Sequence, residues 1–376
     1  MRLLHICSYY IGNKLYMNLF KRLANKRIEQ DVFVPIKDEE HSGSNQLPLE
    51  YQTVHYYYKN IVKKHDKFLY HNKISKQMKE IEKSLDPKEI DFIHAHTVFS
   101  DGGTAYKLHK KYGTDYIVSV RNTDINFFYK YAIHLRPFMY KILKNAKAVV
   151  FISHAYKQKT LDLLPEKVLS EIREKCHVIP NGADDYWHDQ ALSEGRIKES
   201  SNVRLLFIGL IDENKNLGTV IKACEKLIKD GVNASLEVVG NGPLEIQNKD
   251  LCKELGIQDH VVFHGYVKDQ AKIQSIMNQS DIFVMPSYRE TFGLVYIEAM
   301  SRGLPVIYSY EQGIDGFFKE GEVGYSVDPD QSETITEAIK KITQNYDEMS
   351  AKCVYESKQF NWDAVSNEYI KLYTRE

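Results

Sequence analysis

The sequence has few of the features that mark secreted, membrane-spanning or nucleic-acid-binding chains. Its 376 residues hold five cysteines, Cys7, Cys176, Cys224, Cys252 and Cys353. The number is odd, the spacing is wide and no C-x-x-C pair occurs, so neither a disulfide framework nor a zinc site is indicated. No apolar run approaches the ~20 residues that span a bilayer, and the opening MRLLHICSYYIGNK is too weakly hydrophobic for a standard secretory signal. Charge of one sign is lacking too: 50 Lys and Arg against 51 Asp and Glu leave a formal net charge of -1. That balance argues against nucleic acid as a partner. No internal repeat or low-complexity tract is visible. The expectation is a cytoplasmic protein, neither secreted nor integral to a membrane.

What is present suffices for two buried cores. Apolar residues make up 43% of a chain longer than one ordinary α/β domain. One local bias stands out from the neutral average. Between Lys59 and Lys79, seven lysines (59, 63, 64, 67, 73, 76 and 79) oppose one acid, Asp66. The run follows Tyr56-Tyr57-Tyr58 and contains Phe68 and Tyr70. It reads either as a solvated loop and helix face or as a surface for anionic lipid or an anionic acceptor.

Short β-branched and apolar runs alternate with stretches of helical period, the pattern of βα units feeding a parallel sheet. Strands are expected at 3–8, 31–35, 92–94, 116–120, 149–152 and 178–179, with helices near 16–25, 103–112, 137–145 and 155–164. The polar, aperiodic segment 193–202 reads as a linker. The pattern then resumes with strands at 205–209, 235–239, 261–264, 282–285 and 306–308, and helices at 217–229, 244–255, 273–278 and 294–302. From Ile335 onward the tail is helical, with Trp362, Tyr369 and Tyr373 as a packing stripe.

Chemistry-bearing residues are densest from Met285 to Ile307, where a strand, a loop and a helix follow one another. Ligands of open α/β sheets bind at the carboxyl ends of strands, which is where Glu290 falls. If the helix starts near Gly293, the free amides from Phe292 through Leu294 to Val295 can receive a phosphate, and Gly293 lets it come close. Glu298, on the same helix, can accept both hydroxyls of a ribose. Glu290 can accept hydroxyls of a sugar on the other side of a diphosphate. Taken singly, Glu290 reads equally as a helix cap and Glu298 as a surface acid. Lys215 follows a strand end at Gly209, and a fixed ammonium there would stabilise a diphosphate leaving group preferentially in the transition state.

The string Pro-Ser-x-x-Glu-x-Phe-Gly-x-x-x-x-Glu-Ala-Met-x-x-Gly-x-Pro-Val, with Glu290 and Glu298 separated by seven residues, resembles the E-x7-E signature of retaining glycosyltransferase family 4. The resemblance covers nearly the whole chain. Val178–Asp184 is similar to that family's interdomain segment, and Phe207-Ile208-Gly209 through Lys215-Asn216 to its phosphate loop. Val238–Pro243 and Val262–Val267 resemble the strands flanking the nucleotide base, which adds Val267 to the expected donor contacts. The loop Ser8–Lys14 has the position of its glycine-rich loop, with Gly12 as the one glycine. The resemblance implies the GT-B fold: α/β, with two doubly wound Rossmann-like domains facing across a cleft and a C-terminal helix crossing back to the N-terminal domain. The acceptor domain would span 1–190 plus the helix at about 358–376, and the donor domain 200–357.

Two departures accompany it. Leu210 stands where the family usually has an arginine beside the phosphate-loop glycine, leaving one cation fewer unless Arg289 or Lys319 substitutes. Arg121 stands where a histidine is usual, and an arginine can bind a diphosphate or an anionic acceptor but cannot act as a base. Three other patterns carry less. Asp328-Pro329-Asp330 has metal-binding D-x-D spacing but precedes a helix and reads as a turn with an N-cap. Gly240-Asn241-Gly242 lacks the third glycine of a dinucleotide fingerprint, Glu245 standing in its place. His94 and His96 have the spacing of a metal pair but read more readily as core or rim residues.

The expected function is a retaining, nucleoside-diphosphate-sugar-dependent glycosyltransferase (UDP- or GDP-sugar), with a glycan or lipid-linked glycan as acceptor and a role in cell-surface polysaccharide or glycolipid synthesis. Glu290, Lys215 and Arg121 would carry the chemistry. Gly209, Lys215, Glu290, Phe292, Gly293, Leu294, Glu298, Gly12 and Val267 would bind the donor. No essential metal or cofactor is expected, and contact with the inner face of an anionic membrane would run through Lys59–Lys79. The alternatives are a nucleotide-sugar epimerase or hydrolase, and a non-catalytic nucleotide-sugar-binding subunit.

Overall fold

The computed structural model describes residues 1–12, 14–63, 69–198 and 200–374. The chain divides into two compact units, one of residues 1–152, 157–180 and 362–376, the other of 153–156 and 181–361. The break falls at Pro180/Asn181, ahead of the polar segment expected as the linker.

The first unit carries a sheet of seven parallel strands: β1 (Arg2–Ile6), β2 (Glu29–Ile36), β3 (Val54–Asn60), β4 (Phe92–Ala95), β5 (Asp115–Ser119), β6 (Ala148–Phe151) and β7 (Cys176–Val178), in the order β3-β2-β1-β4-β5-β6-β7. β4 and β6 are buried along their whole length. Helices cover both faces, and so these strands read as unbroken apolar runs. The helix Trp362–Thr374 belongs to this unit and packs on the helix Leu15–Asn25. Its stripe of Trp362, Val365, Tyr369 and Tyr373 enters the same core as Leu19, Phe20 and Leu23.

The second unit has six parallel strands, β8 (Val203–Ile208), β9 (Ala234–Val239), β10 (Val261–Gly265), β11 (Ile282–Val284), β12 (Val306–Ser309) and β13 (Gly324–Val327), in the order β10-β9-β8-β11-β12-β13. Both units are therefore doubly wound α/β domains. In each the strand order reverses once, between β1 and β4 and between β8 and β11. The crevice outside the carboxyl ends of those two strands is where such sheets take ligands.

β3 and β13 were not anticipated. β3 contains the Tyr56-Tyr57-Tyr58 cluster, and all three hydroxyls are engaged inside the unit: Tyr56 with Tyr10 at 2.9 Å, Tyr57 donating to Asp31 at 3.1 Å, and Tyr58 donating to the Ser44 carbonyl at 2.5 Å. These bonds tie the three aromatics into the unit. Of the expected lysine run, Lys64, Lys67 and Phe68, together with Asp66, lie outside the described residues, as do Asn13 and Glu199. No helix among the described residues is long and apolar enough to cross a membrane.

Candidate active site

The switch point of the second sheet holds a cavity of about 450 Å³. Gly209 and Lys215, which follow β8, line one side. Glu290, Phe292, Gly293, Leu294 and Glu298, which follow β11, line the other. Seven of the expected residues thus meet around one space. Asn181, Ile208, Met285, Thr291 and Val295 complete the wall.

Lys215 is aimed by its loop. Its amide donates to Asp212 Oδ1 at 2.9 Å. The next residue, Asn216, takes the left-handed conformation at φ 59° just before the helix Leu217–Lys229. Its side-chain amide donates to the carbonyls of Pro286, at 3.2 Å, and Pro329, at 2.7 Å. Asn214 donates to the Arg289 carbonyl at 3.0 Å, while Tyr288 N donates to the Asn214 carbonyl at 2.8 Å. These asparagine bonds stitch the loop after β8 to the loop after β11, fixing Lys215 relative to Glu290. Ordinary van der Waals contact is all that a Cβ at Gly209 would meet, with Met285 Sδ at 3.5 Å and Lys215 Cγ at 3.7 Å. Packing alone does not demand glycine there.

Glu290 accepts from Lys215 Nζ at 2.5 Å through Oε2 and from the Thr291 amide at 3.0 Å through Oε1. Its own amide donates to Gln312 Oε1 at 3.2 Å, and its carbonyl accepts from Gly313 N at 2.9 Å. Glycine is required at 313: φ is 58°, and a Cβ would press on Glu290 Cγ and the Phe292 carbonyl, both at 3.0 Å. Gly293 then sits left-handed at φ 81° as the N-cap of the helix Leu294–Ser301. The helix thereby turns its first amides to the cavity, with the positive end of its dipole. Phe292 contributes backbone only, since its ring packs on Phe317 and Phe360.

Glu298 lies one turn further along and is half-buried. Burial pushes its carboxyl up to about 7, and the nearby Asp184 adds to the rise. No hydrogen bond from the described residues reaches its carboxylate, so it faces the cavity with its acceptor capacity intact. The site therefore combines an ammonium and free helix amides, which suit a diphosphate, with two carboxylates on either side, which suit hydroxyls.

Three expected residues do not line this cavity. Val267 follows β10, where the chain leaves the sheet edge. Gly12 and Arg121 belong to the first unit, Gly12 in a short helical turn, Tyr10–Gly12, and Arg121 after β5. The Arg121 amide donates to Asp124 at 2.9 Å and its guanidinium lies over the Tyr16 ring at 5.8 Å. Leu210 is exposed and outside the cavity, and neither Arg289 nor Lys319 lines it. Lys215 is thus the one cation among the described residues of the wall. Asp328 forms a turn, accepting from Asp330 N at 3.0 Å and Gln331 Nε2 at 2.7 Å, whereas the N-cap position, Gln331, makes no side-chain cap.

His94 and His96 prove to be part of a buried trio with His5. The His94 ring stacks on His96 with centroids 3.8 Å apart, and both its nitrogens are engaged, by Tyr373 at 2.8 Å and Ser119 at 3.1 Å. His5 Nδ1 lies 3.1 Å from His96 Nε2. Burial pushes all three imidazoles below their usual range. They form a neutral, packed polar core. A larger opening of about 610 Å³, lined by Arg27, Glu29 and Thr53 among others, sits where β2 and β3 begin. That is the amino end of the strands, the wrong end for a ligand site of this sheet type.

Two family profiles match the chain, Glycosyltransferase Family 4 over residues 13–186 and Glycosyl transferases group 1 over residues 190–360. An uncharacterized glycosyltransferase of Methanocaldococcus jannaschii is 27% identical over 239 residues, covering 60% of this chain and 59% of that protein. The N-acetyl-alpha-D-glucosaminyl L-malate synthase of Bacillus anthracis is 26% identical over 303 residues, covering 76% of this chain and 75% of that protein. Among solved structures, Anabaena HepE in complex with UDP superposes with a TM-score of 0.70 at 15% identity, covering 100% of both chains. The apo lipopolysaccharide outer core galactosyltransferase WaaB gives 0.74 at 15%, covering 100% of this chain and 99% of that one. At such identity the likeness is one of fold, and that fold is GT-B.

Proposed function

The chain belongs to glycosyltransferase family 4, and on that premise we propose that it transfers a sugar from a UDP- or GDP-sugar to a glycan or lipid-linked glycan, with retention of anomeric configuration. One observation carries the reading: Lys215, the amides after Gly293, Glu290 and Glu298 ring a single cavity at the switch point of the second sheet. Lys215 and the helix amides would receive the diphosphate, Glu298 the ribose hydroxyls and Glu290 the sugar hydroxyls. As the glycosidic bond breaks, negative charge grows on the leaving diphosphate, and fixed donors there favour the transition state over the ground state. The departing phosphate can take the acceptor's proton, so no protein base is needed at the reacting face. Two likenesses support the donor and acceptor classes: HepE was solved with UDP, and several relatives are phosphatidyl-myo-inositol mannosyltransferases.

A thermal-shift screen against UDP- and GDP-sugars tests the donor, because a ligand held only by the folded state raises the melting point as RT ln(1 + [L]/Kd). No shift with any of them would overturn the assignment. Retention is read from the anomeric configuration of the product by NMR, and product formation should survive dialysis against EDTA. The exposed Leu210, which leaves the site one cation short, favours a second reading as a non-catalytic nucleotide-sugar-binding subunit. Donor binding without turnover in the presence of a broad acceptor panel would select that reading. Rapid donor breakdown without acceptor would instead indicate a hydrolase or epimerase.

A further inference from the structure

The ammonium that the donor reading assigns to the diphosphate already has a partner within the protein. Lys215 Nζ lies 2.5 Å from Glu290 Oε2, and the two side chains are 22% and 13% exposed. Neither can withdraw easily. The Glu290 amide donates to Gln312 Oε1 at 3.2 Å, its carbonyl accepts from Gly313 N at 2.9 Å, and its Oε1 accepts from the Thr291 amide at 3.0 Å. Gln312 and Gly313 lie in the loop after β12, so a third strand end fixes the carboxylate that β11 delivers. On the other side, the bond from the Lys215 amide to Asp212 Oδ1 and the bonds of Asn214 and Asn216 across to the loop after β11 hold the loop that carries the ammonium.

No other Lys or Arg among the described residues lines this cavity. A diphosphate there must therefore compete with Glu290 for one cation. The competition is unequal for the two ligands of a transfer cycle. A sugar diphosphate brings hydroxyls to Glu290, and O–H groups donating to a carboxylate replace what it gives up at Lys215. A spent nucleoside diphosphate ends in a phosphate monoester, whose second ionisation near pH ~6 leaves extra negative charge and no hydroxyl to donate. Glu290 would then share its cation and face a like charge with nothing to replace the lost contact, and an unpaired charge set against the wrong ligand is a means of specificity.

We infer that Glu290 discriminates the sugar donor from the spent nucleoside diphosphate, by competing for Lys215 whenever no sugar hydroxyl satisfies it. The inference rests on the transfer reading proposed above and deepens it: a residue placed there as a contact to the sugar also drives the product out. Gln312 and Gly313 serve as positioning residues, since they keep the carboxylate within reach of the ammonium. Weak inhibition by the nucleoside diphosphate follows.

Calorimetric titration tests it, with UDP, GDP and whichever of UDP-glucose, UDP-N-acetylglucosamine and GDP-mannose raises the melting point most. In Glu290→Gln the amide keeps the length of the side chain and can still accept from the Thr291 amide, but it carries no charge. This variant should bind the matching nucleoside diphosphate roughly tenfold more tightly than wild type and the sugar nucleotide equally or less tightly, and Glu290→Ala should do the same. Melting curves of the free variants check that both fold. A purely structural role would weaken both ligands together, and a general loss of negative charge would tighten both together. Either result would overturn the inference, as would an unchanged ratio of the two affinities. If the wild type binds neither class of nucleotide, the transfer reading falls along with it. If the wild type binds both and the ratio stays the same in the two variants, the transfer reading stands and the discriminating role alone is refuted.

Discussion

Lys215 and Glu290 neutralise one another at 2.5 Å beside the cavity, and that pairing shapes what each variant does. Removing the ammonium in Lys215→Ala takes away the one side-chain cation of the wall, and a single preorganised donor to transition-state charge is typically worth ~10²–10³ in rate. The expected outcome is a kcat lower by about that factor with a folded protein, and steady-state kinetics checks it. A kcat within a few-fold of wild type would show that the helix amides alone carry the diphosphate. Glu298 makes a prediction about pH. Its carboxyl stands near 7 when folded, from burial first and Asp184 second, and returns to ~4.3 when unfolded. Between those values the folded state keeps a proton the unfolded state gives up, so ionising Glu298 costs stability as pH rises. Glu298→Gln should therefore match wild type at pH ~4 and be more stable by about 1–2 kcal/mol at pH ~8, discounted for partial exposure, while binding donor more weakly. Denaturant midpoints at the two pH values decide it, and equal differences at both would refute the cause.

At the scale of elements, the entry to the helix Leu294–Ser301 is the most constrained point of the site. Gly293 has φ 81°, and a Cβ would lie 2.5 Å from Tyr296 Cε2. That ring cannot swing away freely, since its hydroxyl donates to the Met285 carbonyl at 2.6 Å. Gly293→Ala should then cost about 2–4 kcal/mol, the sum of a left-handed backbone and an overpacked contact, and abolish the donor-induced melting shift. A guanidinium midpoint unchanged from wild type would show that the turn can relax. This segment was legible in the sequence because strand, turn glycine and helix start each leave a local mark, and those marks agree. β13 was not, because its four residues, Gly324–Val327, are too few for a period to show. β3 was masked differently: its pairing with β2 is a long-range fact, while locally three tyrosines beside lysines look like a surface. Gly12, Arg121 and Val267 came from position in the chain rather than from any agreement of local signals, and they are the ones the cavity lacks.

The two units differ in how acid should act on them, and the chain's two tryptophans separate the effects. Trp362 is buried in the first unit and Trp187 in the second, so single-tryptophan variants report each unit alone. In the first unit His5, His94 and His96 stay neutral among Phe20, Tyr16, Tyr369 and Tyr373, with Arg121 adding to the cost of charging His94 and His96. Their folded values lie below the unfolded ~6.5, so the stability they lend is full above that pH and is lost as it falls. Two buried carboxyls act the other way. Burial raises Asp101 to about 7 and Asp124 to about 6, even though Ser8 and Thr97 donate to the first and the amides of Val98, Phe99 and Arg121 to the second. Each gains stability as pH falls through that range. Three imidazoles against two carboxyls leave the first unit with a net loss, whereas the second, with Glu298, has a net gain. Lowering pH from ~7 to ~5 should thus move the guanidinium midpoint seen by Trp362 in the Trp187→Phe variant downward, and leave that of Trp187 in the Trp362→Phe variant level or higher. A Trp362 midpoint that stays level or rises would mean that the imidazoles titrate near their ordinary values, and that the neutral trio does not set the acid limit of the fold.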